Sequence, residues 1–321
     1  MGEAGGGDDR VLPEYDELPL VPSLGLRHAW GVFGPDDQLG TINLLSPDRV
    51  RKATGLVREG TVYNLVLPLG AVDPPFYGRD PLRHTVFRVD RNYWDDRLDN
   101  FFLQGASHWD GLRHVQAREA GFWGGRAGLE PTPGPGPLGI EHWVCHGIVG
   151  RGVLLDLTPE LESASAGYDP FTSCSVPAQL LERAAHRQGV EVGTGDILCV
   201  RTGWMTRYRG LDEAGRRAAS SSHDFVGLAA DETMARWLWN RHLAAIACDN
   251  PAVEVSPGDR TVGSLHRRLL PLLGFALGEF FDFDALARAC AEDGRWEFLF
   301  VSVPLYLPGG VGSPANAIAV R

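Results

Sequence analysis

The sequence predicts a single α/β domain, and three observations carry that expectation. Helical and strand-like segments interleave after residue 30, no internal repeat or linker-like break divides them, and 44% of the 321 residues are hydrophobic, which suffices for a substantial core. Residues 1–27 stand apart. They are Gly/Asp-rich and then interrupted by Pro13, Pro19 and Pro22, which reads as a flexible or draped N-terminal arm ahead of a domain over 28–321.

The elements follow in order. Ser46-Pro47-Asp48 places a capping hydroxyl, a proline and an acid at a helix start; Val50, Ala53 and Val57 supply its apolar stripe, and Gly60 a stop. Residues 61–69 (TVYNLVLPL) alternate and branch like a strand. Residues 121–139 are dominated by Gly and Pro and read as an exposed loop. Residues 147–157 (GIVGRGVLLDL) form a strand pair or one long strand. A helix over 176–188 lies between Ser175 and Gly189, and 196–202 (DILCVRT) is a buried strand. A Trp-bearing helix over 231–242 precedes a short strand over 243–248. A strand over 275–280, a helix over 284–292 and a strand over 298–307 close the chain.

Composition narrows the function. Thirty basic residues against 41 acidic ones give a formal charge of −11, and no Lys/Arg-rich run offers a nucleic-acid footprint. No apolar stretch approaches the roughly 20 residues of a membrane span. The start lacks the basic-then-apolar pattern of a signal peptide, and the five scattered cysteines lack CxxC spacing. A cytoplasmic protein with free thiols is the expectation.

Several catalytic signatures are absent or formal only. Residues 134–139 (GPGPLG) spell GxGxxG, but prolines remove the donors that would hold phosphate and no strand directly precedes them. There is no GxxxxGK[ST], HExxH or GxSxG. His142 and His146 would share one face of a helix, yet Gly147 and a branched strand follow at once; two unrelated histidines are the better reading. Residues 101–114 (FFLQGASHWDGLRH) differ in kind. His108 and Asp110 are two apart, so an extended backbone turns both to one side. Gln104 and His114 flank them, each four residues away, and Gly105 and Gly111 let the chain bend. An imidazole and a carboxylate on one edge suit a borderline divalent ion; a His–Asp hydrogen bond on a strand is the plainer alternative.

Gln104 to His114 resembles the HxGTHxDxPxH signature of the cyclase family of metal-dependent hydrolases, which includes kynurenine formamidases and isatin hydrolases. The second His, the Asp and the last His are kept; Gln104, Ser107 and Leu112 stand for the first His, the Thr and the Pro. Residues 30–45, 150–156, 195–203, 266–279 and 309–317 also resemble family segments, and the glutamine is similar to that of a longer-chain subgroup. The resemblance implies a swivelling β/β/α fold with mixed sheets and flanking helices, and a homodimer or higher assembly. It implies that His108, Asp110, His266 and Glu279 hold one divalent ion, Zn or Mn, with Gln104 a weak further ligand, and that His114 is the catalytic acid/base. The implied reaction is metal-dependent hydrolysis of a small amide, lactam, lactone or formamide by activated water, an amidase-type attack on a non-peptide carbon–nitrogen bond. An intramolecular cyclase or dehydratase on the same site is one alternative, and a metal-free binding protein another. Aromatic residues are dense near the motif. Tyr93, Trp94 and Trp109 are the candidates to stack against a small flat substrate, although Trp109 alternates away from His108 and Asp110 on an extended backbone.

Overall fold

The computed structural model describes residues 11–321. The first ten residues of the expected N-terminal arm therefore lie outside the described residues. Residues 13–16 lie on one helix, α7 (Glu232–Asn240), while Val21 packs with Ala117 and Leu272. Tyr15 is buried, the Trp239 indole donates to the Pro13 carbonyl at 2.8 Å, and Arg236 pairs with Asp16 at 2.9 Å.

One nine-stranded mixed sheet organises the chain. Its strands are β1 (Val62–Asn64), β4 (His108–Asp110), β5 (Ile148–Asp156), β6 (Ile197–Arg201), β7 (Ala245–Cys248), β8 (Ala276–Glu279), β9 (Glu297–Ser302), β10 (Gly312–Pro314) and β11 (Ala317–Val320); β2 (Arg83–Arg88) and β3 (Trp94–Asp99) form a separate hairpin. Across the sheet the order is β10-β4-β8-β7-β6-β5-β9-β11-β1. The four central strands, β8, β7, β6 and β5, run parallel, and every remaining pairing is antiparallel. Parallel strands are covered on both faces and read as unbroken apolar runs, as Ile197–Val200 and Ala245–Cys248 do, all buried.

Helices occupy the crossovers. α3 (Thr158–Ala164) and α4 (Ala178–Gln188) join β5 to β6, and α5 (Trp204–Arg209), α6 (Glu213–Ser222) and α7 join β6 to β7. α8 (Leu265–Arg268), continued by a π-helical turn over Leu269–Leu273, joins β7 to β8, and α9 (Asp284–Asp293) follows β8. Asp249, just past β7, accepts from the Thr202 and Gly203 amides and so ties the ends of β6 and β7 together. Burial pushes its carboxyl up to about 6, against those donors. Among the described residues no helix is long and apolar enough to cross a membrane, and all five cysteines are unpaired.

The expected elements are present, with shifted ends. α1 (Pro47–Thr54) starts as expected, with the Ser46 hydroxyl accepting from Arg49 N–H, but it ends at Gly55 rather than Gly60. The 147–157 segment holds one long strand, β5 (Ile148–Asp156), rather than a pair. The strand expected over 61–69 is only β1, because Leu65 donates to Ala317 and the chain then leaves the sheet. Two readings are corrected. A helix, α2 (Glu141–His146), does form where Gly147 argued against one; Gly147 (φ 79°) ends it, and burial of Trp143 and Glu141 holds this short element. His142 bonds the Gly136 carbonyl and His146 the Gly147 carbonyl, so the pair grips nothing together. The 121–139 loop is not wholly exposed, since Phe122, Trp123 and Leu138 enter the core.

Candidate metal centre

The site forms where β4 meets the carboxyl end of β8, the edge at which parallel sheets present their crevices. Ser107 sets the register there. Its hydroxyl donates to the Phe280 carbonyl and accepts from the Leu67 amide at 2.8 Å. In the β4–β8 ladder His108 lies opposite Glu279, Trp109 opposite Gly278 and Asp110 opposite Leu277. Opposed residues share a face, so His108, Asp110 and Glu279 emerge together and Trp109 points the other way. On the far side of β4, Gly312 lies opposite Asp110. A Cβ there would come within 3.2 Å of the Gln104 side chain and 2.7 Å of the Trp109 carbonyl, so glycine leaves room for Gln104.

The distances define a compact cluster. His108 Nε2 lies 3.3 Å from Glu279 Oε2 and 3.5 Å from Asp110 Oδ1. One ligand atom from each of the three lies within 4.8 Å of the others, and all three residues are buried. His266 enters from α8, its Nε2 3.0 Å from Glu279 Oε1 and 3.6 Å from Asp110 Oδ2. His114, partly exposed, brings Nε2 to 3.5 Å from Asp110 Oδ2. Backing partners orient the rings. His108 Nδ1 donates to the Ala106 carbonyl at 2.7 Å and His266 Nδ1 to Glu254 Oε1 at 2.7 Å, so in each neutral ring Nε2 faces the cluster as an acceptor.

Electrostatics agree with the geometry. Burial opposes charge on His108, but Asp110 and Glu279 outweigh it and hold the imidazole up to about 9. Burial likewise opposes charge on His266, while Asp110, Glu254 and Glu279 raise it well above its ordinary value. Asp110 sits well below the usual carboxylate range; burial works against this, and His114, His108 and His266 win. Among the described residues, Asp110 and Glu279 have imidazole and amide partners but no lysine or arginine. Buried carboxylates need a counter-charge. Imidazolium protons supply it here, and a divalent cation replacing those protons suits the same nitrogen and oxygen donors.

The structure also places the remaining sequence candidates. Gln104 stands at the cluster's edge, its amide NH2 group donating to Asp110 Oδ1 and to His114 Nδ1 at 3.1 Å. Trp109 is corrected as a substrate contact. It is 0% exposed, its indole donates to Ser302 Oγ at 2.9 Å, and it packs edge-on against Phe281. Tyr93 and Trp94 sit at the turn end of the β2–β3 hairpin, 66% and 67% exposed, with the Arg88 guanidinium against Trp94.

Two contributors escaped the sequence reading. Glu254 takes hydrogen bonds from Ser264 Oγ, from the Leu265 and His266 amides and from the His266 ring, capping α8 and holding its histidine at once. Burial raises its carboxyl, but His266 leads the contacts that lower it overall. Tyr77 stands near the carboxylates: burial first, then Glu279, raises its phenol above the ordinary value. Its ring lies parallel to His223 at 5.3 Å, with the Arg79 guanidinium 5.3 Å from its centroid. Tyr77, His223, Val253 and Phe280 all have positive φ without being glycine. Two of them adjoin Glu254 and Glu279 in the chain, and strain of this kind gathers at functional sites.

The comparisons with known proteins agree with this architecture. The Cyclase family model matches residues 63–255. A crystal structure described as a novel cyclase is 32% identical, covering 92% of this chain and 99% of its own, with a TM-score of 0.81. Isatin hydrolase A from Ralstonia solanacearum is 14% identical over 84% of this chain and 94% of its own, with a TM-score of 0.60. An isatin hydrolase bound to the product analogue thioisatinate is 16% identical over 86% and 97%, with a TM-score of 0.58. At those identities the isatin hydrolases share the fold alone. Comparison with curated protein sequences gives no match.

Proposed function

Since the chain belongs to the cyclase family, we propose that it is a divalent-metal-dependent hydrolase of a small amide, lactam, lactone or formamide. One observation carries the reading: His108 Nε2 and the Asp110 and Glu279 carboxylates converge within 4.8 Å of one another, beside the partly exposed His114. His108, Asp110 and Glu279 would hold the ion, with His266 completing the set, and the donor mixture suits Zn²⁺ or Mn²⁺. Such an ion supplies Lewis acidity and lowers the pKa of water to about 7.

The chain's own residues do the rest. Gln104 donates one amide hydrogen to Asp110 and the other to His114 Nδ1, so neutral His114 carries its proton on Nε2, toward the cluster. A ring so placed can pass a proton between the cluster and a substrate, and general acid–base catalysis of this kind typically contributes about 10²–10⁴ in rate. Burial of His108, Asp110 and Glu279 keeps bulk water from screening them.

The test is turnover of a panel of such substrates before and after chelation. His114→Ala should lower turnover and leave metal content unchanged; full activity after verified metal removal refutes the reading. The 32%-identical relative is described as a cyclase, which favours a second reading, intramolecular cyclisation on the same site. Label from ¹⁸O-water enters the product of hydrolysis and not that of cyclisation.

A further inference from the structure

We propose that a cavity beside α8 binds a multiply charged oxyanion, at a site separate from the metal cluster. The cavity, about 790 Å³ with its open mouth, lies between the N-terminal segment and the turn leading into α8, and four arginines line it: Arg118, Arg260, Arg267 and Arg268. Among the described residues no carboxylate lines it. That is unexpected in a chain of net charge −11, which has acids in plenty to pair with its arginines.

Three of the guanidiniums are exposed: those of Arg118, Arg260 and Arg267 make no hydrogen bond or ion pair among the described residues. Arg268 is fixed, Nε donating to the Ala230 carbonyl at 3.1 Å and Nη2 to the Val262 carbonyl at 2.9 Å, yet its Nη1 is buried with no acceptor. Like charges held together repel, and an anion between them turns that repulsion into binding. The planar guanidinium fork matches the paired oxygens of phosphate and carboxylate. Four such groups exceed what one carboxylate balances, which points to a phosphate ester or a di- or tricarboxylate. Leu24 and Leu26 on the wall suit an apolar body attached to that charge.

Ser264 lines the cavity and donates to Glu254, so this site adjoins the residue that holds His266 without sharing a cluster ligand. The proposal therefore stands whether or not the hydrolase reading does.

Titration calorimetry of the metal-loaded protein with inorganic phosphate, and separately with sulfate, tests it. The expected result is saturable binding that weakens about tenfold in Arg260→Ser and in Arg267→Ser and vanishes in the double variant. Rising salt should weaken it further. Arg91→Ser, on the hairpin, should bind as the parent does. No saturable binding by either anion overturns the proposal, as does binding that survives the double variant. Inhibition assays identify the source of the anion. Competition with substrate assigns the charge to a substrate tail, indifference assigns it to a free anion, and both support the site.

Discussion

Glu254→Gln isolates the one carboxylate that touches His266 from behind. Glutamine keeps the size but has one oxygen where the carboxylate uses two, Oε2 for the Leu265 amide and Oε1 for the His266 amide and ring; the Ser264 hydroxyl still caps α8 while the charge at His266 Nδ1 goes. A hydrogen bond between charged groups contributes about 1.5–3 kcal/mol. Removing a residue that orients a metal-binding histidine costs about 10–100-fold in metal affinity, which at 1.4 kcal/mol per tenfold is about 1.4–2.8 kcal/mol. The two routes agree. Zn²⁺ or Mn²⁺ affinity should therefore fall by one to two decades, measured by competition with a chelating indicator, while thermal unfolding of the metal-free protein shifts little. Unchanged affinity with a large loss of stability would refute the reasoning and reduce Glu254 to a helix cap.

Metal affinity should rise with pH. His108 stands at about 9 in the metal-free site, so its proton must leave before Nε2 can coordinate; affinity gains up to about tenfold per pH unit for each competing proton and levels off above about 9. The linkage for the metal-free fold has the opposite sense, since the stability from protonated His108 is full below about 6.5 and fades as pH climbs to about 9. A pH-independent affinity would contradict both statements. Gln104→Ala strips a donor from Asp110 and from His114, so turnover should fall about tenfold with metal content intact; metal loss at unchanged turnover would make Gln104 a ligand. Trp109→Ala should cost about 3–5 kcal/mol in urea unfolding, and a cost below about 1 kcal/mol would deny that the ring is core.

Local chemistry decided what the sequence could disclose. The Ser46 cap, the apolar central strands and the alternation of His108, Trp109 and Asp110 each depend on neighbours in the chain, and the alternation alone set Trp109 against the other two. Glu254 depends on a loop. It meets His266 across 12 positions, with no periodic pattern linking them. The orientation of the Gln104 amide was equally hidden, because it follows from Asp110 and His114 approaching together in space. The aromatic count near the motif said little for a simple reason: density along the chain does not tell a hairpin standing in water from a wall around a site. α2 formed against its flanking glycine because burial of Trp143 and Glu141 outweighed weak local preference.

Ser107 and Phe280, 173 positions apart, are joined by a hydrogen bond at the seam where β4 is stitched onto the parallel strands. The cluster spans that same seam, with His108 and Asp110 on one bank and Glu279 on the other. An ion seated there acts as a clasp between early and late parts of the polypeptide, and by mass action its grip adds to the resistance of the whole molecule to unfolding. Stripping it should loosen this margin before the centre, so amide exchange ought to quicken first in β4 and β10 while β5, β6 and β7 hold.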